Sequence, residues 1–384
     1  MRSVSFLEWL RNALARIGLK NARHAPHEGA DADLCQDAFT ATRELSRLLV
    51  EENASSVASS LPDAADVSIL LGNLFRAQGD IERAIKLREA LLSRIGADAE
   101  LRGRIFFELG CDYRNAGLLD RALSAYRDAR RFGFSDLAVS RELILLFADS
   151  GDFHAASVES AAIDNPQAEA YFLVRQAEEQ AACRNDDAAA RLIRRAIDVY
   201  PGSPEAWLAL VCMSLAVGDG FMASERFAAG LAKTRDSATL ILLEGLYAFI
   251  NGPAAPAISS DALHALLQGV HETFAAQEAD LMRCYYGGLF MQHVKKVDEA
   301  EQWFTKALVI EPDFWAARLA LMALIADRES PTPLLASQIA FFTRKAAESK
   351  RFFCRPCGMR RNSIFSFCPR CRAWHSVAFR LYLN

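Results

Sequence analysis

Four cysteines near the end of the chain carry its clearest chemical signal. Cys354-Arg-Pro-Cys357 and Cys368-Pro-Arg-Cys371 form the spacing C-x2-C-x10-C-x2-C. One C-x2-C turn sets two sulfurs roughly 3.5–4 Å apart, and two such turns complete a tetrahedron around one metal ion. Cys354, Cys357, Cys368 and Cys371 are therefore expected to hold one structural metal ion, with no coordination position left open for catalysis. Zinc and iron both accept a sulfur tetrahedron, and the sequence does not choose between them. Gly358 follows the second cysteine, where a positive φ turns a further amide toward sulfur. The ten residues between the pairs suit a short β-hairpin, and Ser363-Ile-Phe-Ser-Phe367 alternates accordingly. A thioredoxin-type redox site needs one such motif at a strand–helix junction, which this segment lacks. His375 reads as a surface residue, since four ligands already suffice. Phe365, Phe367 and Trp374 read as the module's own small core. A ribbon of roughly 30 residues has too little core to fold unaided, so the metal should supply much of its stability.

The remaining composition narrows the function class. Cys35, Cys111, Cys183, Cys212 and Cys284 are scattered singly in apolar helical patterns and read as buried, inert thiols. An odd total of nine cysteines and no secretion signal point to a reducing cytoplasm. The net charge of -4 is split: residues 351–384 hold seven arginines and no Asp, Glu or Lys, so the rest of the chain carries -11. Four thiolates on a divalent ion would leave that basic module near +5. Histidines are few and dispersed, and no phosphate-binding glycine loop or nucleophile motif is present. Glu51-Glu52 and Asp186-Asp187 read as solvated helix ends. A non-enzymatic binding protein is expected. No apolar run approaches the roughly 18 residues of a transmembrane helix. Near the N-terminus, Phe6, Leu7, Leu10, Leu14 and Ile17 share one helical face. Such a helix packs on protein or lies at a membrane interface; the polar stretch that follows, to residue 35, reads as a linker.

What positions the ribbon is a repeat. Leu71-Gly72-Asn-Leu-Phe75-(x3)-Gly79-(x4)-Ala84 and Leu109-Gly110-Cys-Asp-Tyr113-(x3)-Gly117-(x4)-Ala122 share their spacing. Gly288, Ala300, Phe304, Ala307 and Pro312 mark a third clear copy. This is the tetratricopeptide pattern, two antiparallel helices in 34 residues. The small residue of helix A and the alanine of helix B lie where the pair crosses most closely. The intervening glycine ends helix A, and the proline ends helix B. Turn positions at Gly117, Gly151, Arg184, Gly218 and Gly252 step by 34, 33, 34 and 34 residues. A surplus of nine residues falls around 253–280 and reads as an inserted turn or helical element. The expected fold is all-α: a tetratricopeptide-repeat solenoid with a small C-terminal metal knuckle. Its expected parts are an amphipathic helix and linker (1–35), about seven repeat units with a capping helix (36–328), a connecting helix (329–350) and the four-cysteine module (351–384). Repeat phase turns Asn73, Arg76, Arg104, Phe107, Arg114 and Asn115 toward the concave, partner-binding groove, with Tyr285, Gln292 and His293 in the last clear copy. Arg and Asn side chains there suit a partner's backbone or carboxylates.

These stretches resemble a known family. Leu71 to Arg76 with Asp80 to Ile85, and Leu109 to Ala122, look like repeat signatures of the lipopolysaccharide assembly protein B family. The terminal Cys-x2-Cys-Gly…Cys-Pro-x-Cys-x2-Trp resembles that family's rubredoxin-like tail, in the same order along the chain. The resemblance implies an adaptor on the cytoplasmic side of a Gram-negative inner membrane. It implies control of lipopolysaccharide synthesis by presenting the deacetylase that commits lipid A precursor to a membrane-bound ATP-dependent protease. The family's N-terminal transmembrane anchor has no counterpart here, so the expected location is cytoplasmic, with the N-terminal helix as a candidate peripheral contact with the membrane's inner face. The alternative is a general repeat scaffold whose metal ribbon contacts nucleic acid or another multiprotein assembly; nucleic acid is the less favoured partner. The basic ribbon is also expected to dock on the acidic array and fix one end of the groove.

Overall fold

The computed structural model describes residues 61–96, 98–252, 258–329, 331–349 and 351–382. The expected N-terminal helix, its linker, the start of the array and Cys35 lie outside the described residues. Those that are described form helical hairpins followed by a small sheet, and the chain divides into two compact units between Asp152 and Phe153.

The first unit contains α1 (Leu61–Ala77), α2 (Ile81–Arg94), α3 (Ala99–Asn115), α4 (Leu119–Arg131) and α5 (Asp136–Ser150). Short polar residues start these helices by accepting otherwise orphaned amides: Asp80 from Arg83, Asp98 from Leu101, Ser135 from Ala138. The α3–α4 turn needs the left-handed backbone that glycine supplies, and Gly117 sits at φ +74°. Small residues set the crossing distance. A Cβ on Gly110 would lie 2.5 Å from the Tyr126 ring, and Ala122 is fully buried beside it. Ile105, Leu109, Tyr126, Val139 and Leu143 are buried in the core between the helices.

The second unit holds α6 (Phe153–Ala162), α7 (Pro166–Ala182), α8 (Asp186–Val199), α9 (Pro204–Ala216), α10 (Gly220–Lys233), α11 (Asp236–Ile250), α12 (Ser260–Ala275), α13 (Leu281–His293), α14 (Val297–Ile310), α15 (Trp315–Glu329) and α16 (Pro333–Glu348). Pro166, Pro204 and Pro333 each sit in the first turn of a helix, where a missing amide costs nothing. Gly288 meets Phe304 as Gly110 meets Tyr126, with a built Cβ 2.4 Å from the ring. The nine-residue surplus adds no further helix among the described residues of 258–280. α12 starts late after a long connection and packs chiefly on α10 rather than on α11: a Cβ on Gly269 would lie 2.6 Å from Ser224, and Gly220 closes directly on Ala262.

The ribbon follows α16. Strands β1 (Phe352–Cys354), β2 (Arg360–Arg361) and β3 (Val377–Phe379) form an antiparallel sheet in the order β2-β1-β3. The hairpin expected at Ser363–Phe367 is absent; that stretch contributes one isolated bridge, Phe367 to Trp374. The sheet is built instead from residues flanking the cysteine turns. In β1 and β3 alternate side chains enter a core shared with the helices, and Phe365 joins that core without strand pairing.

Candidate metal centre and its seat on the helices

The four cysteine sulfurs all lie within 4.8 Å of one another. Cys354 and Cys371 are 3.5 Å apart, Cys357 and Cys368 3.6 Å. A tetrahedron with metal–sulfur bonds of about 2.3 Å sets its sulfurs about 3.8 Å apart, so the donor set fits one zinc or iron ion. The two turns are built alike. The amide of Gly358 donates to the Cys354 carbonyl at 2.8 Å, and that of Arg372 to the Cys368 carbonyl at 2.9 Å. The residue after each second cysteine takes a left-handed backbone, Gly358 at φ +68° and Arg372 at φ +62°. Without a cation the sulfurs cannot share a full set of charges. Burial raises the Cys354 thiol, but the Ser376 hydroxyl, the Cys357 amide and the neighbouring thiols bring it down to about 7. At Cys371 the Ala373 amide lowers the thiol, while burial and the three other thiols push it up to about 12. A divalent ion would stabilise all four as thiolates.

The ribbon is seated on the first helices of successive hairpins. Trp374 packs edge-on against Tyr171 at 5.3 Å and Phe172 at 6.3 Å, both on α7. His375 Nε2 lies 3.1 Å from Glu205 Oε1 on α9, and its ring stacks on Tyr200. Arg351 donates to Glu244 Oε1 on α11 at 3.2 Å; Glu244 Oε2 accepts the Tyr286 hydroxyl at 2.6 Å. Phe379 packs on Tyr285 of α13 and on Phe314 and Trp315 at the start of α15. The Trp315 indole donates to the Arg380 carbonyl at 2.8 Å. Basic ribbon thus meets acidic helix at two points. Burial raises Glu205, yet the His375 hydrogen bond and charge carry it below the ordinary carboxylate range. Glu244 is raised, because burial outweighs Arg351 and Tyr286.

Several sequence expectations change here. His375 is buried rather than on the surface. Trp374 packs on Phe367, as expected of a ribbon core, but equally on α7. Tyr285, assigned to the open groove, is covered by Phe379, because the ribbon fills that position. Gln292 and His293 are half-buried, and burial lowers His293. Among the scattered thiols Cys284 is buried and Cys111 and Cys212 half-buried, but Cys183 is exposed at the end of α7. Glu205, Glu244 and Tyr171 gave no signal in the sequence, since their partners lie far along the chain.

In the first unit the expected groove residues have internal partners. Arg76 donates to Glu108 at 2.8 Å, to Asp112 at 3.0 Å and to the Asn73 side-chain oxygen at 2.9 Å. The fully buried Arg88 bonds the same Asp112 and Asn73 and lies 3.4 Å from Glu108. Asn73 and Arg76 therefore form the edge of a charged knot joining α1, α2 and α3. Phe107 is half-buried against Phe134, at 4.6 Å, and Tyr126. Arg114 pairs with Asp149 at 2.9 Å and Glu142 at 3.3 Å on α5. Arg104 and Asn115 are exposed. Arg88 was detectable in the sequence: it stands where the other clear copies place Tyr126 and Phe304. No helix among the described residues is long and apolar enough to cross a membrane.

No family model matches the chain. It is similar to lipopolysaccharide assembly protein B of Escherichia coli strain K12, 21% identical over 322 residues that cover 81% of this chain and 80% of the relative. The protein of the same name from Escherichia coli O157:H7 matches equally. Among solved structures, a tetratricopeptide repeat protein from Parabacteroides merdae is 18% identical and covers 68% of this chain and 99% of its own, with a TM-score of 0.36. The C-terminal part of a repeat-containing protein from Cytophaga hutchinsonii is 12% identical, covering 74% and 95%, also with a TM-score of 0.36. The repeat fold stands on the hairpins and helix crossings described above.

Proposed function

We propose that this chain is a non-enzymatic adaptor in lipopolysaccharide assembly, one that presents the deacetylase committing lipid A precursor to a membrane-bound ATP-dependent protease. The repeat array binds the protein partners, and Asn73, Arg76, Arg104, Phe107, Arg114 and Asn115 mark the face of the first unit that receives them. Cys354, Cys357, Cys368 and Cys371 hold one structural ion, zinc or iron. Residues 36–328 act as the array, 329–350 as a connection and 351–384 as the metal module, on the cytoplasmic side of the membrane. The observation that carries this reading is the pairing of a repeat array with a seated four-cysteine ribbon, in the order that the resemblance to lipopolysaccharide assembly protein B requires. The seat itself argues for binding rather than chemistry: its charged groups are spent on holding the ribbon.

The test is to delete the chain from the cells that make it and follow the deacetylase by pulse-chase. The half-life should lengthen severalfold, and the deacetylase should co-purify with the tagged chain. An unchanged half-life without co-purification overturns the proposal, and recovery of ribosomal or RNA material instead favours the general scaffold.

A further inference from the structure

α16 is exposed along almost its whole length. Only Ile339 and Ala346, seven residues apart, are half-buried among its described side chains. Leu334 is 73% exposed, Phe342 51%, Leu335 50% and Phe341 42%. At 100° per residue, Leu334 and Phe341 share one line of the helix, and Leu335 and Phe342 an adjacent one. An isolated helix of this length is marginal in water, so a face this apolar is expected to be covered.

Charge indicates what covers it. From Arg344 to the end the chain holds ten Lys and Arg residues and a single acid, Glu348. The Arg355, Arg360, Arg361 and Arg370 side chains are exposed. Pairing with a second copy would bring two such basic runs together. Single-stranded nucleic acid would use aromatic platforms, and two of the four exposed apolar side chains are leucines. A layer with dense negative charge above an apolar interior satisfies both features at once.

We propose that α16 docks on an anionic lipid surface, with Leu334, Leu335, Phe341 and Phe342 entering the acyl boundary. Arg344 and the exposed Arg355, Arg360, Arg361 and Arg370 hold the lipid phosphates. The helix thus supplies apolar area and the run supplies charge, the two signals that stable peripheral binding requires. This inference is independent of the adaptor reading, and deacetylase half-life does not test it.

The experiment is sedimentation of the full, metal-loaded chain with vesicles of phosphatidylglycerol and phosphatidylcholine, and with phosphatidylcholine alone. Binding should require phosphatidylglycerol and weaken with added salt. Phe341→Ser combined with Phe342→Ser should lower the bound fraction about tenfold, with melting midpoint and metal content unchanged. A tryptophan at Leu334 (Leu334→Trp) should shift its emission to the blue on the mixed vesicles. Undiminished binding by the double serine variant overturns the proposal, because the N-terminal segment or charge alone then suffices. So does a failure to bind phosphatidylglycerol vesicles, whether the chain instead captures a short RNA or loses a dimer on substitution.

Discussion

Arg88 shows how one side chain departs from the rule that built its neighbours. Its equivalents Tyr126 and Phe304 are rings packed on a glycine, whereas Arg88 brings a charge into the same crossing and needs Asp112 to hold it. A buried pair is costly to break, because the survivor stays charged without a partner. Asp112→Ala should therefore destabilise the first unit by about 3–5 kcal/mol, read from urea unfolding; a loss under about 1 kcal/mol would mean the knot behaves as a surface pair. Glu205 offers a titration. Its carboxyl lies below its ordinary range when folded, so its contribution is present above the unfolded value and fades as pH falls through the folded one. Melting curves of the parent and Glu205→Gln should converge in acid and separate by neutral pH; a constant gap would exclude that linkage. Arg372 holds a left-handed conformation that favours glycine. Arg372→Gly should stabilise the ribbon by about 1 kcal/mol, seen as slower metal loss to a chelator.

At the scale of elements, the readable features were local. The C-x2-C spacing identified the sulfur cluster, and the glycine–alanine spacing identified helix crossings that the structure places at Gly110–Tyr126 and Gly288–Phe304. The ribbon's strands were misplaced because alternation at 363–367 resembles a strand, while β1 and β3 are only three residues each and gain their partners through tertiary packing. The seat was invisible for the same reason: Glu205 and His375 are 170 residues apart. Removing the ion should unfold the ribbon and free Trp374 from Tyr171. Chelation, or Cys354→Ser, should red-shift tryptophan emission while helical circular dichroism changes little. A chelated protein with unchanged emission would show that the seat holds the ribbon without metal.

For the whole molecule, repeat phase alone could not separate open groove positions from those already engaged. Arg76 and Arg114 look like partner-binding arginines, but each pairs with carboxylates of the same unit. Arg76→Glu would place like charge beside Glu108 and Asp112 and should lower the melting temperature by several degrees. Asn115→Ala, at an exposed position, should weaken partner capture with no such shift. If both variants melt like the parent, the knot contributes little to the fold.

The seat has a mechanical consequence. A solenoid ordinarily transmits stability only between adjacent repeats, so it can fray from an end one hairpin at a time. The ribbon touches α7, α9, α11, α13 and α15, tying together hairpins that are not neighbours. With the ion in place, the second unit should melt as a single cooperative block with a steep denaturant slope. Stripped of the ion, the same hairpins become a row of weakly coupled springs, and their transition should broaden.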